Sequence, residues 1–424
     1  MYIPSFLTSV KQMFSNGGLC GNIAEIYSMY KIVKPNVTLK CVKCGQTYIP
    51  KPRLFLCPKC GSLIDVIVRV EEFKWDRIKE RRFGVWRYRE LLPLRDGIEP
   101  VTLGEGGTPL IKLQNMYEKR IINSRSIYVK FEGANPTGSF KDRGMTVGVT
   151  IAKHLGVEGV IVASTGNTAA SAAAYAARAG LRCVVVLPKG GVAKGKLAQA
   201  LLHGAEIREV EGSFDKALEE VLDEVIGGNL NEYYPLNSFN PWRLEGQKTI
   251  AYEIIDELGV IPDYVVVPVG NAGNISAIWK GFKELYELGL INELPKLVGV
   301  QAEGAAPIAT AWLQGLTEPL FIEKPITIAS AIRIGRPVNW FKAMRAIKES
   351  EGIFITVSDE DILNAMKILA KYEGIGVEPA SATTLASLIK CVNEGRIGRD
   401  DIVVLVATGH SLKDPDTVFK ILPS

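Results

Sequence analysis

The segment Asn135-Pro-Thr-Gly-Ser-Phe-Lys141-Asp-Arg-Gly144 sets one lysine behind small and polar loop residues, at the head of a helix-compatible run from Lys141 to Leu155. The helix macrodipole disfavours a cation on a first turn, and the same field favours the neutral amine. A neutral amine attacks an aldehyde and forms a Schiff base, so Lys141 is a candidate nucleophile and proton carrier. A solvated surface position is the ordinary reading of a single lysine, and the neighbouring segments argue against it here.

Three other strand-to-loop junctions carry chemistry. Val162-Ala-Ser164-Thr165-Gly166-Asn167-Thr168 follows an apolar run and opens an Ala-rich helix. Free N–H groups and the hydroxyls of Ser164, Thr165 and Thr168 suit a carboxylate-sized anion, with an ordinary helix cap as the alternative. Gly270-Asn271-Ala272-Gly273-Asn274 also joins a strand to a helix, and its glycines admit a phosphate close to the backbone. It lacks the Gly-x-Gly-x-x-Gly of a dinucleotide site. Thr408, in Ala407-Thr408-Gly409-His410, ends the last apolar run and can offer a neutral hydroxyl to a ring nitrogen. A lysine Schiff base, a phosphate cradle and a ring-nitrogen partner together point to pyridoxal 5'-phosphate. Gly190-Gly-Val-Ala-Lys-Gly195-Lys196-Leu197 has P-loop spacing, but Leu197 stands where Ser or Thr is required, which argues against nucleotide hydrolysis.

Cys41-Val-Lys-Cys44-Gly and Cys57-Pro-Lys-Cys60-Gly are two copies of one knuckle, twelve residues apart. Four thiolates fit tetrahedral, structural zinc, with disulfides or free thiols as the alternative. The three remaining cysteines, Cys20, Cys183 and Cys391, are scattered. This usage suits a reducing cytoplasm.

With 50 Lys and Arg against 46 Asp and Glu, the net charge of +4 argues against a dedicated nucleic-acid binder. The basic residues Lys40, Lys43, Lys51, Arg53 and Lys59 around the knuckles read as solvated charges, with nucleic-acid contact as the alternative. Only three histidines are present, which leaves little material for a histidine triad or a histidine-rich metal site. No apolar run is long enough to span a bilayer.

The elements that must position these residues alternate in type. Apolar runs at Ile127–Phe131, Gly159–Ala163, Leu181–Leu187, Tyr264–Val269, Leu297–Gln301 and Ile402–Ala407 read as buried parallel strands. Helical stretches fall at Thr168–Arg178, Phe214–Ile226, Trp242–Leu258 and Ile275–Leu288. The predicted fold class is therefore α/β. It has two doubly wound parallel-sheet domains, each three-layer αβα, with the active site in the cleft between them and a small N-terminal zinc ribbon. The expected boundaries are an N-terminal extension at 1–29, loosely attached or preceding the true start, and a zinc ribbon at 30–70. A connector and the start of the large domain follow at 71–125, the small domain at 126–240, and the large domain at 241–424.

From about residue 98 onward the chain resembles the threonine synthases, within the fold type II pyridoxal-phosphate enzymes. The likeness is carried by Leu103-Gly-Glu-Gly-Gly-Thr-Pro-Leu110, Asn135–Met145, Ser164–Thr168, Gly270–Asn274, Gln301-Ala-Glu-Gly-Ala-Ala-Pro307, Glu378-Pro-Ala-Ser381 and Gly409–Pro415. Ser411 departs from the glycine expected there. The resemblance implies that Lys141 carries the cofactor and that Phe140 lies against its ring. It places Asn167 on the ring hydroxyl, Gly270, Asn271, Ala272, Gly273 and Asn274 on the cofactor phosphate, and Thr408 on the pyridine nitrogen. Ser164, Thr165 and Thr168 would receive the amino-acid end of the substrate. Asn237, Ser238 and Arg243 resemble a clamp for the substrate phosphate, and an arginine beside a Ser/Asn loop is a good phosphate fork.

The implied reaction turns O-phospho-L-homoserine and water into L-threonine and phosphate, in a cytoplasmic homodimer. A sister enzyme remains the alternative: a cysteate synthase acting on O-phosphoserine, or a threonine dehydratase. A zinc-ribbon binding module on an inactive body is a reading from another class, which the intact Lys141 segment opposes.

Overall fold

In the computed structural model, which describes residues 23–164, 166–189, 194–211, 214–227 and 232–421, the apolar runs become strands of three sheets. β1 (Val37–Cys41), β2 (Thr47–Tyr48) and β3 (Ile64–Val68) form an antiparallel ribbon in the order β2-β1-β3. β4 (Leu110–Lys112) and β5 (Ser126–Phe131) pair antiparallel at one side of a six-stranded sheet. β6 (Gly159–Ala163), β7 (Arg182–Pro188), β8 (Glu206–Val210) and β9 (Tyr233–Pro235) form a parallel sheet in the order β8-β7-β6-β9. β10 (Tyr264–Pro268), β11 (Lys296–Ala302), β12 (Ile353–Val357) and β13 (Ile402–Ala407) complete the six-stranded sheet. Its order is β12-β11-β10-β13-β5-β4, parallel except at β4. Val265, Val266 and Val267 in β10 are all fully buried. Successive strand residues face opposite sides, so both faces of this sheet are covered, as in a three-layer α/β unit.

The chain divides into two compact units. One holds the described residues up to Phe73, together with Tyr88–Leu103 and Gly144–Gly246, and so contains the ribbon and the four-stranded sheet. The other holds Lys74–Arg87, Gly104–Arg143 and the chain from Gln247 onward, with the six-stranded sheet.

Several expected boundaries move. β5 was placed with the small domain at 126–240, yet it lies beside β13 in the six-stranded sheet, with Ile127 opposite Val403. The 71–125 connector is shared between the two units. The helix expected over 242–258 is two helices, Pro241–Gln247 and Thr249–Leu258, and the units divide between Gly246 and Gln247. Within the 1–29 extension, residues 1–22 lie outside the described residues. A helix runs over Ile23–Ile32 with Met29 buried, and just beyond it Lys34 Nζ donates to the carbonyl of Arg89 at 2.7 Å.

Candidate active site

Three chemically distinct loops leave the same edge of the six-stranded sheet. β10, β13 and β5 are consecutive parallel neighbours. β10 leads into Gly270–Asn274, β13 into Thr408, and β5 into the loop that ends at Lys141. Neighbouring strands are about 4.8 Å apart, so two spacings span about 10 Å. That is the scale of a pyridine ring with its phosphate arm.

The loop before Lys141 is fixed by hydrogen bonds to β13's exit. Phe140 N–H donates to the Thr408 carbonyl at 3.0 Å, and His410 N–H donates to the Gly138 carbonyl at 3.0 Å. Gly138 sits at φ +82°, and a Cβ there would meet Lys413 Cδ at 3.2 Å, so glycine is required. The Asp142 carboxylate accepts from Thr137 N–H at 2.7 Å and from its hydroxyl at 2.6 Å. Lys413 Nζ donates to the Thr137 carbonyl at 3.0 Å.

Lys141 is the first residue of the helix Lys141–Leu155, as its loop chemistry predicted. Its Nζ stands 3.9 Å from the centroid of the Phe140 ring. The helix field favours the neutral amine by about 0.3–1 kcal/mol, and a cation–π contact favours the ammonium by about 0.5–1 kcal/mol.

The phosphate loop departs from expectation in one respect. Its left-handed residue is not a glycine but Ala272, at φ 63° and ψ 5°, just ahead of the helix Gly273–Glu287. Strain of this kind is held by surrounding structure and clusters at ligand sites. Val338 N–H donates to Asn271 Oδ1 at 3.3 Å and Asn339 N–H to the Asn271 carbonyl at 3.1 Å. A Cβ on Gly270 would meet Ile332 Cα at 3.0 Å. Gln301 Nε2 donates to the Val269 carbonyl at 3.2 Å, and its Oε1 accepts from Ile308 and Ala309 at 2.9 and 2.8 Å. Asn274 is buried, yet neither Oδ1 nor Nδ2 of its amide has a hydrogen-bond partner in the structure. A buried unsatisfied amide costs about 1–3 kcal/mol, and a bound phosphate would offset the donor half of it by accepting from Nδ2. The loop therefore fits the phosphate of pyridoxal phosphate.

Thr408 directly follows β13, with its hydroxyl 3.0 Å from Ser381 Oγ and both residues buried. Ser381 Oγ also accepts from Gly409 N–H at 2.9 Å, and Thr408 Oγ1 donates to Glu378 at 3.4 Å. The Glu378–Ser381 motif entered above only as a family likeness; its task of holding Thr408 is visible only in the fold. Ser411, the departure noted above, is accommodated by Gly376, where a Cβ would come within 2.7 Å of Ser411 Oγ.

Arg143, two residues after Lys141, anchors a buried ionic network that sequence reasoning missed. Its guanidinium donates to Glu132 at 2.6 and 2.7 Å and to Glu253 twice at 2.7 Å. Thr108 and Thr249 hydroxyls accept from it at 3.1 Å. Lys130 Nζ, also fully buried, is 2.9 Å from Glu253 and close to Glu257. Burial opposes ionisation of Glu253, but the Arg143 and Lys130 charges overcome it and hold its carboxyl well below the usual carboxylate range.

In the other unit, the ends of the neighbouring strands β6 and β9 carry the predicted substrate residues. Ser164 Oγ accepts from Gly166 N–H at 3.2 Å and Ala169 N–H at 3.3 Å, and so caps the helix Asn167–Ala179. Asn167 and Thr168 open that helix, half-buried. Thr165 lies outside the described residues. Asn237 uses its amide to bracket β6: Nδ2 donates to the Ala163 carbonyl at 2.9 Å and Oδ1 accepts from Ala163 N–H at 3.0 Å. This bracing leaves only its second amide hydrogen for a substrate. Ser238 is half-buried. Arg243 is 3 % exposed, and its Nη1 donates to the Leu236 carbonyl at 2.5 Å while Nε has no partner. No carboxylate among the described residues pairs with it, and burial lowers its pKa to about 10. A desolvated, uncompensated guanidinium is a site prepared for an anion.

Also in this unit, the sulfur atoms of Cys41, Cys44, Cys57 and Cys60 all lie within 4.8 Å of one another. Cys41–Cys60 and Cys44–Cys57 are 3.4 and 3.7 Å apart. Tetrahedral zinc thiolates, with bonds of about 2.3 Å, have edges of about 3.8 Å, which this set fits. Gly45 and Gly61 take φ of +73° and +71°, which only glycine adopts readily and which closes each knuckle. Tyr48 brings its hydroxyl within 3.0 Å of Cys57 Sγ.

Residues 101–409 match the family described as pyridoxal-phosphate dependent enzyme. The chain is 53% identical over 386 residues to a threonine synthase of Methanocaldococcus jannaschii, covering 90% of this chain and 94% of that protein. It is 51% identical over 337 residues to a threonine synthase of Mycobacterium bovis, covering 80% of this chain and 90% of that one. Among solved structures it is similar to a threonine deaminase isoform 2 from Solanum lycopersicum. The TM-score is 0.61 at 23% identity, over 74% of this chain and 82% of that one. A maize serine racemase gives a TM-score of 0.61 at 21% identity, over 74% and 90% of the two chains. These two structural likenesses speak for the fold alone.

Proposed function

We infer the roles of individual residues from one premise: this chain belongs to the threonine synthases, among the pyridoxal-phosphate-dependent lyases. It converts O-phospho-L-homoserine and water to L-threonine and phosphate. The observation that carries the residue assignments is the run of three adjacent strand ends in the larger unit, bearing Gly270–Asn274, Thr408 and Lys141. When bound, pyridoxal phosphate withdraws electrons from the substrate amine and so makes protons on the α and β carbons acidic.

Lys141 Nζ would hold the cofactor by its aldehyde carbon in the resting enzyme. The freed amine takes the α proton and then a β proton. Phosphate leaves from the γ carbon, water adds at the β carbon, and Lys141 returns the protons. Asn274 and the amides of residues 270–273 hold the cofactor phosphate. Phe140 flanks the ring, Asn167 takes the ring hydroxyl, and Thr408, held by Ser381 and turning its one hydroxyl hydrogen away from Glu378, offers it to the pyridine nitrogen. Ser164, Thr165 and Thr168 receive the amino-acid end of the substrate. Arg243, with Ser238 and the spare hydrogen of Asn237, takes its phosphate.

An assay of phosphate release from O-phospho-L-homoserine and from O-phosphoserine, with the product identified, tests this. Threonine from the first and little turnover of the second are expected, and preference for the second would overturn the substrate. Arg243→Gln should raise KM about 10–100-fold while the visible cofactor absorbance stays, because a charged hydrogen bond is worth about 1.5–3 kcal/mol. Loss of cofactor instead would contradict the clamp.

The four cysteines hold one structural zinc, supported by their spacing and by the closed four-thiolate set. Metal analysis should give about one zinc per chain, falling to near zero in Cys57→Ser. The free thiols support a reducing cytoplasm, and the family likeness supports a homodimer. Among the described residues no helix is long and apolar enough to cross a membrane.

A further inference from the structure

Phe55 lies two residues before the proposed zinc-site cysteine Cys57, and the chain directly after it is tied down. Cys57 N–H donates to the Ser62 carbonyl at 2.7 Å, and Leu56 bridges to Leu63. The Phe55 ring packs against the α/β part of its unit. It meets Tyr234 edge-on, with centroids 5.8 Å apart and planes at 69°. It meets Phe239 in the same manner, at 5.6 Å and 62°. All three rings are buried.

Those two partners bracket Asn237 and Ser238 of the clamp, with Arg243 four residues beyond Phe239. Tyr234 lies in β9 opposite Val160 of β6. After it come Leu236, whose carbonyl accepts from Arg243, and Asn237, whose amide braces Ala163. Phe239 follows, just before the turn in which Asn240 Nδ2 donates to the Pro235 carbonyl at 2.8 Å. Edge-to-face aromatic pairs are worth about 0.5–1.5 kcal/mol each beyond their buried area, and they fix direction as well as distance. Phe55 thus touches the chain on both sides of the short stretch that aims Arg243.

We propose that Phe55 is a positioning residue for the substrate-phosphate clamp, so that the cysteine knuckle sets how tightly the phosphorylated substrate is held. The proposal rests on the reading of Arg243 as the phosphate ligand. Phe55 and the clamp belong to one unit, and Lys141 and the cofactor-phosphate loop to the other, so its effect is expected on substrate binding. A displaced clamp arginine weakens ground-state and transition-state binding alike, which appears in KM rather than in kcat.

The test compares Phe55→Ala, Phe55→Tyr and Arg243→Gln as holoenzymes. Phe55→Ala should raise KM for O-phospho-L-homoserine about tenfold, with kcat within about twofold. Calorimetric titration with inorganic phosphate should show the same tenfold weakening, and the visible cofactor absorbance should not change. Phe55→Tyr keeps the ring and should restore both constants. An unchanged KM and phosphate affinity in Phe55→Ala, with Arg243→Gln impaired, would overturn the coupling and leave the clamp standing. An unimpaired Arg243→Gln would overturn the clamp itself. Should Phe55→Ala fail to fold, Phe55→Leu, which fills space without the edge-on contacts, replaces it. Wild-type phosphate affinity in Phe55→Leu would likewise overturn the proposal.

Discussion

Lys141→Ala is expected to lower phosphate release from O-phospho-L-homoserine by more than about 10³-fold, and to erase the visible absorbance of the lysine-bound cofactor. General acid–base transfer by one placed group contributes about 10²–10⁴-fold, and Lys141 serves two proton transfers as well as the covalent link. The folded state should survive. Lys141 is half-buried at a helix start, and the loop before it is held by Asp142, Lys413 and the exit of β13. Unchanged circular dichroism with lost absorbance is therefore the diagnostic pair. Retention of both absorbance and turnover would sink the assignment of Lys141.

The second large effect is on stability. Glu253→Gln keeps the shape of the side chain and removes one charge from the Arg143–Glu132–Lys130 cluster. Glu253 is wholly buried and pairs with both cations. Leaving a buried charge partly uncompensated costs about 3–5 kcal/mol. Urea unfolding followed by a probe in the larger unit should show a loss of this size, and a loss under about 1 kcal/mol would show the network to be dispensable. The pH dependence has a definite sign. The folded carboxyl titrates well below the unfolded value of 4.5, so its contribution is complete above that pH. It is lost as pH falls below 4.5 toward the folded value. Glu253→Gln should therefore flatten the acid limb of the stability profile relative to wild type. Because Arg143 lies two residues beyond Lys141, the same variant should also release cofactor more readily under mild denaturant.

The strands legible in the sequence were those buried on both faces. Gly159–Ala163 and Ile402–Ala407 were delimited to the residue, because strands covered on both sides read as unbroken apolar runs. β8, Glu206-Ile-Arg-Glu-Val210, escaped because it is an edge strand with charged residues among its apolar ones. β4 and β9 are three residues each, too short for periodicity to show. Arg143 reads in sequence as one more cation near Lys141. Only the fold brings Glu253, 110 residues away, into bidentate contact with it.

What the sequence by itself determined are the local devices: the loop-borne lysine at a helix start, the glycine-bounded phosphate loop, and the paired Cys-x-x-Cys-Gly knuckles. Each is complete within a few consecutive residues, so residue type and spacing suffice. The tertiary structure decided which devices act together. The last strand, β13, inserts between β10 and β5, and sets Thr408 between the phosphate loop and the lysine loop. It also left Arg243 buried with no counter-charge among the described residues, while Arg143, no less buried, received two. Strand order and long-range charge pairing follow from the packing of whole sheets and helices, which no short stretch of sequence encodes.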